Sequence, residues 1–209
     1  MQSLSSKENF FIGLYLANSS NYDSSVCVTD RNANIILLDK FYFAQDIELF
    51  FETSPYIKNS IICANVTYDN KILDGKWRVH AKNYRMLDDN FKINRDNWTS
   101  RISKRCNGLF LNLSKQGIKV IRTDIERLRQ SYKLQSYYLN GTSIDCKNLQ
   151  TSLKLKFGFL ELPENMLPSS SLNAIICSIF AMEYTAGKVE TKEIFNIEGI
   201  PVLSRKFDA

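Results

Sequence analysis

Few residues in this 209-residue chain could do chemistry, and the single histidine, His80, limits the choice most. One imidazole excludes metal sites that need two or more, and any Ser-His-Asp or Cys-His triad would depend on this residue alone. His80 lies in the segment Lys76–Lys82 beside three cations, a setting typical of a surface histidine or a phosphate contact. The sequence contains no G-x-G-x-x-G or G-K-[ST] motif, which argues against a dinucleotide or P-loop site.

Charge is distributed unevenly along the chain. Residues 76–133 hold fifteen basic and five acidic residues, a local balance of +10, whereas the remainder has a balance of −5. Aromatic residues are interleaved with these cations: Trp77, Tyr84, Phe91, Trp98, Phe110 and Tyr132. Cations can pair with phosphates and rings can stack on bases, so the segment favours a nucleic-acid surface. The alternative is a solvated helix face whose aromatic residues point into the core.

Cysteine usage indicates a reducing compartment. The five cysteines are widely spaced, odd in number and without a C-x-x-C pair, and four lie in apolar runs where a free thiol behaves as a core residue. The first twenty residues lack the pattern of a secretory signal, and no apolar stretch is long enough to cross a bilayer. We therefore expect a cytoplasmic protein without a membrane or disulfide-linked partner.

The residue patterns predict one α/β domain over residues 1–209. Strands are predicted at 10–17, 25–30, 35–43, 60–66 and 118–122, and another is possible at 157–162. Helices are predicted at 46–52, 98–116, from the Thr123–Glu126 capping box to about 139, and from Ser169 or Ser170 to 186. Residues 69–95 have no clear period and are predicted to form an insertion or a long loop, residues 142–156 remain unassigned, and 200–205 form a short terminal segment.

The predicted order of elements resembles that of the ribonuclease H-like superfamily, and in particular the branch called domain of unknown function 429. Five segments carry the resemblance. The G-x-D-like strand is matched by Ile12–Ala17, and the apolar strand that ends in an Asp-x-Pro element is matched by Ile62–Thr67. The Arg-rich helix is matched by Arg101–Cys106, the start of the last helix by Ser170–Ala174 and the E-G-x-x-x-P tail by Glu198–Val202. The resemblance implies a mixed sheet of three antiparallel strands followed by parallel strands, with flanking helices.

The resemblance also implies a nuclease centre, but the chain departs from the motifs that would build it. In the superfamily, carboxylates hold two divalent ions, Mg²⁺ or Mn²⁺, that promote phosphodiester cleavage. The aligned positions here carry Tyr15, Asn65, Ser170 and Asn173, none of which is an anion at neutral pH. Glu161 is the one carboxylate that could match a family position, and one carboxylate does not make a two-metal site.

These features favour a non-catalytic, nuclease-like protein without a cofactor that binds nucleic acid or a partner associated with nucleic acid. The residues expected to contact phosphates are Lys76, Arg78, Lys82, Arg85, Arg101, Lys104 and Arg105. Two alternatives stay open. One is an active Mg²⁺- or Mn²⁺-dependent nuclease with carboxylates displaced to Asp23, Asp30, Asp69 or Glu183, and the other is a protein-interaction module.

Overall fold

A computed structural model describes residues 10–17, 23–67, 101–134, 141–158, 162–197 and 199–206; for 101–105 and 195 it describes the backbone. These residues form seven strands: β1 (Phe10–Tyr15), β2 (Ser24–Asp30), β3 (Ile35–Phe41), β4 (Ser60–Asn65), β5 (Lys119–Thr123), β6 (Thr191–Ile197) and β7 (Ile200–Arg205). They also form five α-helices: α1 (Ala44–Thr53), α2 (Arg101–Lys115), α3 (Ile125–Ser131), α4 (Ser143–Phe157) and α5 (Ser169–Thr185). The predicted insertion at 69–95 lies outside the described residues.

One mixed sheet contains all seven strands in the order β3-β2-β1-β4-β5-β7-β6. The strands β1, β2 and β3 are antiparallel, whereas β4, β5 and β7 continue parallel to β1, and β6 returns antiparallel to β7. The predicted α/β class and the sequence of antiparallel and then parallel strands are confirmed. The arrangement is compatible with a ribonuclease H-like fold.

Helices cover both faces of the sheet because the strands alternate apolar side chains between two buried cores. On one face Ile12, Ile62 and Val120 pack with α1 and α2, chiefly against Phe51 and Phe110. On the other face the strands pack against α3, α4 and α5. Strands buried on both faces are typical of parallel and mixed sheets in α/β proteins.

Helix α5 lies directly on the central strands β1, β2 and β4. It is buried around its whole circumference over this part of its length, since every residue from Ser170 to Ala181 is buried. Its first turn lies beside the end of β1, since Ser171 contacts Ser25, the register partner of Tyr15. Its last turn lies beside the start of β5, where the Lys119 ammonium stands 4.5 Å from the Tyr184 ring. The helix therefore runs antiparallel to β1 and brings its amino terminus to the carboxyl ends of the parallel strands.

Three predicted elements need correction. The helix after β5 begins at Ile125, with Asp124 rather than Thr123 as its cap, and ends at Ser131, well before 139. The possible strand at 157–162 is wrong at its start, since Phe157 ends α4 and Gly158 has the positive φ of a helix C-cap. The terminal segment is the strand β7 inside the sheet, paired with the unpredicted strand β6.

Candidate functional site at the carboxyl ends of the parallel strands

The structure brings four of the five aligned positions to one edge of the sheet. Tyr15 and Asn65 are the last residues of β1 and β4, and these strands pair in parallel. Ser170 and Asn173 lie at the start of α5, which packs over the same strand ends. The fifth position, Glu161, lies outside the described residues. Because parallel strands present their carboxyl ends at a common edge, this is where an α/β sheet usually places a ligand.

Both polar atoms of the Asn65 side chain bond the backbone just after β1. Its Oδ1 accepts a hydrogen bond of 2.5 Å from the Leu16 N–H, and its Nδ2 donates one of 3.2 Å to the Leu16 carbonyl. Asn65 is only 1% exposed, so this amide extends the pairing of β1 and β4 beyond the end of the strands in a dry environment. An amide engaged on both sides in this way joins two strands, and it carries no charge that would attract a metal ion.

Replacing Asn65 with alanine should test this role. We expect a loss of about 3 kcal/mol of unfolding free energy, because the buried N–H and C=O of Leu16 would both lose their partner. Urea unfolding of the variant measures the loss. Asn112→Ala, at an exposed position of α2, is the matched control and should change the unfolding free energy by less than about 0.5 kcal/mol. Equal midpoints for the two variants would contradict the proposed role.

Tyr15 and Asn173 form a neutral pair near the hydrogen bonds between Asn65 and Leu16. Burial raises the pKa of the Tyr15 phenol, Glu126 adds to the rise, and Arg129 together with a hydrogen bond to Asn173 opposes it. The net effect is a raised pKa, so the phenol stays protonated at neutral pH. Asn173 is buried, its Nδ2 donates to Ser169 Oγ at 3.3 Å, and its Oδ1 has no hydrogen-bond partner among the described residues. The pair supplies no negative charge.

Charged residues that the sequence analysis missed lie behind Tyr15. Arg129 of α3 and Asp145 of α4 form an ion pair of 2.7 Å, and their side chains are 1% and 0% exposed. The other Asp145 oxygen accepts a hydrogen bond of 2.9 Å from the Gly141 N–H. Glu126 acts on the Tyr15 phenol from the first turn of α3. The sequence analysis treated Glu126 only as part of a capping box and did not predict that it would lie close enough to act on Tyr15.

The described carboxylates of the displaced-ligand alternative are engaged elsewhere. Asp23 pairs with Lys40 at 2.9 Å, and Asp30 accepts the N–H groups of Asn32 and Asn34 in the turn after β2. Glu183 accepts a hydrogen bond of 2.5 Å from the Tyr132 hydroxyl, near the opposite end of α5 from Asn173. Asp69 lies outside the described residues. Within the described ranges, no group of three or more His, Cys, Asp or Glu residues could hold a metal ion.

The basic stretch 76–133 is only partly available as a surface. Its members Arg122 and Arg129 are fully buried, and its aromatic residues Phe110 and Tyr132 pack in the core. Buried rings cannot stack on bases, so the nucleic-acid interpretation is wrong for these two aromatic residues. The Arg122 guanidinium lies 5.3 Å from the Phe110 ring and donates to the Asn65 carbonyl at 3.1 Å, which ties α2 to the sheet.

The proposed phosphate contacts divide into two groups. Lys76, Arg78, Lys82 and Arg85 lie outside the described residues. Arg101, Lys104 and Arg105 occupy the first turns of α2, whose buried face farther along carries Cys106, Phe110 and Leu113. Helical spacing puts backbone positions 101, 104 and 105 on the same side as the exposed residues Gly108 and Asn112. This is the side of α2 that faces away from the sheet.

Comparisons with protein-family models, with curated proteins and with solved structures find no match to this chain. The resemblance to the ribonuclease H-like superfamily therefore stays a prediction from the sequence, with which the sheet arrangement is compatible. Within the described residues, no helix is long and apolar enough to span a membrane. All five cysteines are free thiols.

Proposed function

We propose that the chain is a non-catalytic relative of the ribonuclease H-like nucleases and binds nucleic acid, or a partner associated with nucleic acid, through the segment 76–133. The observation that carries the non-catalytic part is that Tyr15, Asn65 and Asn173 at the carboxyl edge are neutral, and that the Asn65 amide bonds the Leu16 backbone through both its polar atoms. These residues are where the resemblance would place metal-binding carboxylates.

The donor set at this edge does not fit a pair of divalent cations. Mg²⁺ gives up hydration water reluctantly and is held in proteins by carboxylates together with substrate phosphates. Here the four described aligned side chains are a protonated phenol, a hydroxyl and two amides, and the Asn65 amide already bonds the Leu16 backbone on both sides. Without a carboxylate among these four, nothing at their positions offsets the cost of dehydrating the ions, and Glu161 alone would not make a two-metal site.

The binding part of the proposal is supported by the placement of cationic positions on α2. The first turns of this helix carry Arg101, Lys104 and Arg105 on the side that its buried residues leave free. Cations on one helix face can contact consecutive phosphates without reading the bases, so we expect affinity for nucleic acid with little sequence preference.

Charge reversal on α2 is the test of binding. We expect Arg101→Glu, Lys104→Glu and Arg105→Glu together to weaken binding to a labelled duplex at least tenfold and to lower the slope of log K against log salt by about three, one per lost phosphate contact. The matched control reverses three cations outside the segment: Lys147, Lys154 and Lys188. Equal losses in both variants would mean that net charge alone drives binding.

The same preparations test the absence of catalysis. Incubation with DNA or RNA and Mg²⁺ or Mn²⁺ should leave the substrate intact. Metal-dependent cleavage that Glu161→Ala abolishes would overturn the non-catalytic assignment and leave the binding assignment standing.

A further inference from the structure

Helix α1 and the two residues before it expose large apolar side chains to solvent. Tyr42 is 62% exposed, Phe43 is 69% exposed and Leu49 is 58% exposed, whereas Ile47 and Phe51 on the opposite side are buried against the sheet. Single exposed apolar residues are common on protein surfaces, but three within eight residues concentrate apolar side chains in one short segment, which favours contact with another molecule. We call Tyr42, Phe43, Leu49 and Glu52 the α1 surface.

The segment that carries the α1 surface is acidic in a chain whose net charge is +5. Residues 42–53 contain three acidic residues and no basic one. The Asp46 carboxylate serves the helix itself by accepting the N–H groups of Tyr42 and Phe43, at 3.3 and 3.0 Å. Glu52 is exposed, stands one turn after Leu49 and has no ion-pair partner among the described residues.

The position of Glu52 does not help α1 to fold. A carboxylate in the last turn of a helix faces the negative end of the helix dipole, and the last turn of α1 has no basic residue to compensate. A charge that opposes helix stability beside exposed apolar side chains is better explained by attraction to a cation on a partner.

We propose that the α1 surface docks a cationic amphipathic helix of a partner protein. Apolar residues of that helix would cover Tyr42, Phe43 and Leu49, and its Lys or Arg side chains would pair with Glu52 at the margin. A second copy of this chain fits poorly, because a two-fold interface would bring the same acidic residues together. Nucleic acid is repelled by the same charge, so we do not assign this surface to nucleic acid.

Three synthetic peptides test the proposal with the full chain. They share leucines at helical spacing and carry Lys, Ser or Glu at the remaining positions, and fluorescence anisotropy measures their binding. The variant Leu49→Ser with Glu52→Lys removes the apolar anchor and the charge, and should weaken binding of the Lys peptide about tenfold. The matched control, Leu155→Ser with Glu193→Lys, makes the same changes at exposed positions of α4 and β6 and should bind as the original chain does.

The expected order of affinity is Lys, then Ser, then Glu peptide, and both variants should keep the cooperative unfolding of the original chain. Failure of the original chain to bind the Lys peptide would overturn the proposal, and so would equal weakening in both variants. A dimer seen by sedimentation that the α1 variant dissolves would also overturn it and would assign the surface to self-association. None of these outcomes depends on whether the segment 76–133 binds nucleic acid.

Discussion

Replacing Gly13 with alanine is expected to cost more than about 4 kcal/mol of unfolding free energy, enough to leave much of the chain unfolded. A Cβ atom at this position would overlap the Ala174 carbonyl oxygen and the Ser178 amide nitrogen and would stand 3.0 Å from the Cys177 carbonyl carbon. All three atoms belong to the backbone of α5, so no change of rotamer can relieve the overlap. The helix would have to lift off the centre of the sheet.

Gly108→Ala is the matched control for this substitution. Gly108 is exposed on α2, and a Cβ atom there would meet no atom within 4 Å. Removing a glycine from a helix should therefore stabilise the chain by about 0.5–1 kcal/mol. Chemical denaturation of the soluble fraction compares the two variants, and a Gly13→Ala variant as stable as the original chain would contradict the close seating of α5.

Replacing Asp145 with asparagine is expected to destabilise the chain by about 3 kcal/mol or more. The substitution keeps the size of the side chain and an acceptor for the Gly141 N–H, but it leaves the Arg129 guanidinium as a buried charge without its counter-ion. Removing one partner of a buried ion pair is costly because the remaining charge has lost both water and its opposite charge.

Two further variants separate this effect from the general loss of a carboxylate. Asp23→Asn breaks a pair with Lys40 in which both side chains are about one-third exposed, and should cost less than about 1 kcal/mol. The double variant Arg129→Leu with Asp145→Leu removes both charges together and should be less harmful than Asp145→Asn alone. Equal losses for Asp23→Asn and Asp145→Asn would contradict the expected cost of leaving the Arg129 guanidinium buried without a counter-ion.

The central strands were predictable from sequence because burial dominates their composition. Strands β1 and β4 are mostly apolar, β2 has the apolar centre Val26–Val28, and the residues of all three strands are buried almost throughout. Strand β6 was missed because it is an outer strand, and Lys192, Glu193 and Asn196 remain exposed on it. A strand that is half exposed and rich in polar residues carries only a weak alternating pattern.

Helix α4 could not be assigned because polar residues occupy its buried face. Asp145 pairs with Arg129, and the Gln150 amide donates to the Pro163 and Asn165 carbonyls and accepts the Leu167 N–H. Each of these polar residues interrupts an apolar stripe, and its partner lies in another element. Periodicity within a segment contains no information about such tertiary partners.

The same limit applies to the candidate site. The motifs placed Tyr15, Asn65 and Asn173 near one another, and the parallel pairing of β1 and β4 explains why they meet. The ion pair behind Tyr15 joins residues sixteen positions apart on two helices, a distance at which sequence spacing alone does not specify a contact. The bonds from Asn65 to Leu16 likewise depend on a separation of 49 residues.

The thiols are divided between the two hydrophobic cores on the two faces of the sheet, so the reactivity of a cysteine reports the exposure of its own core. Cys106 lies in the core between the sheet and α1 and α2, whereas Cys27, Cys63, Cys146 and Cys177 lie in the core on the opposite side. Burial also raises the pKa of Cys27 to about 12, so this thiol is protonated as well as inaccessible to reagents. Alkylation of the native chain therefore requires local opening, and the position of the modified cysteine identifies which layer has separated from the sheet.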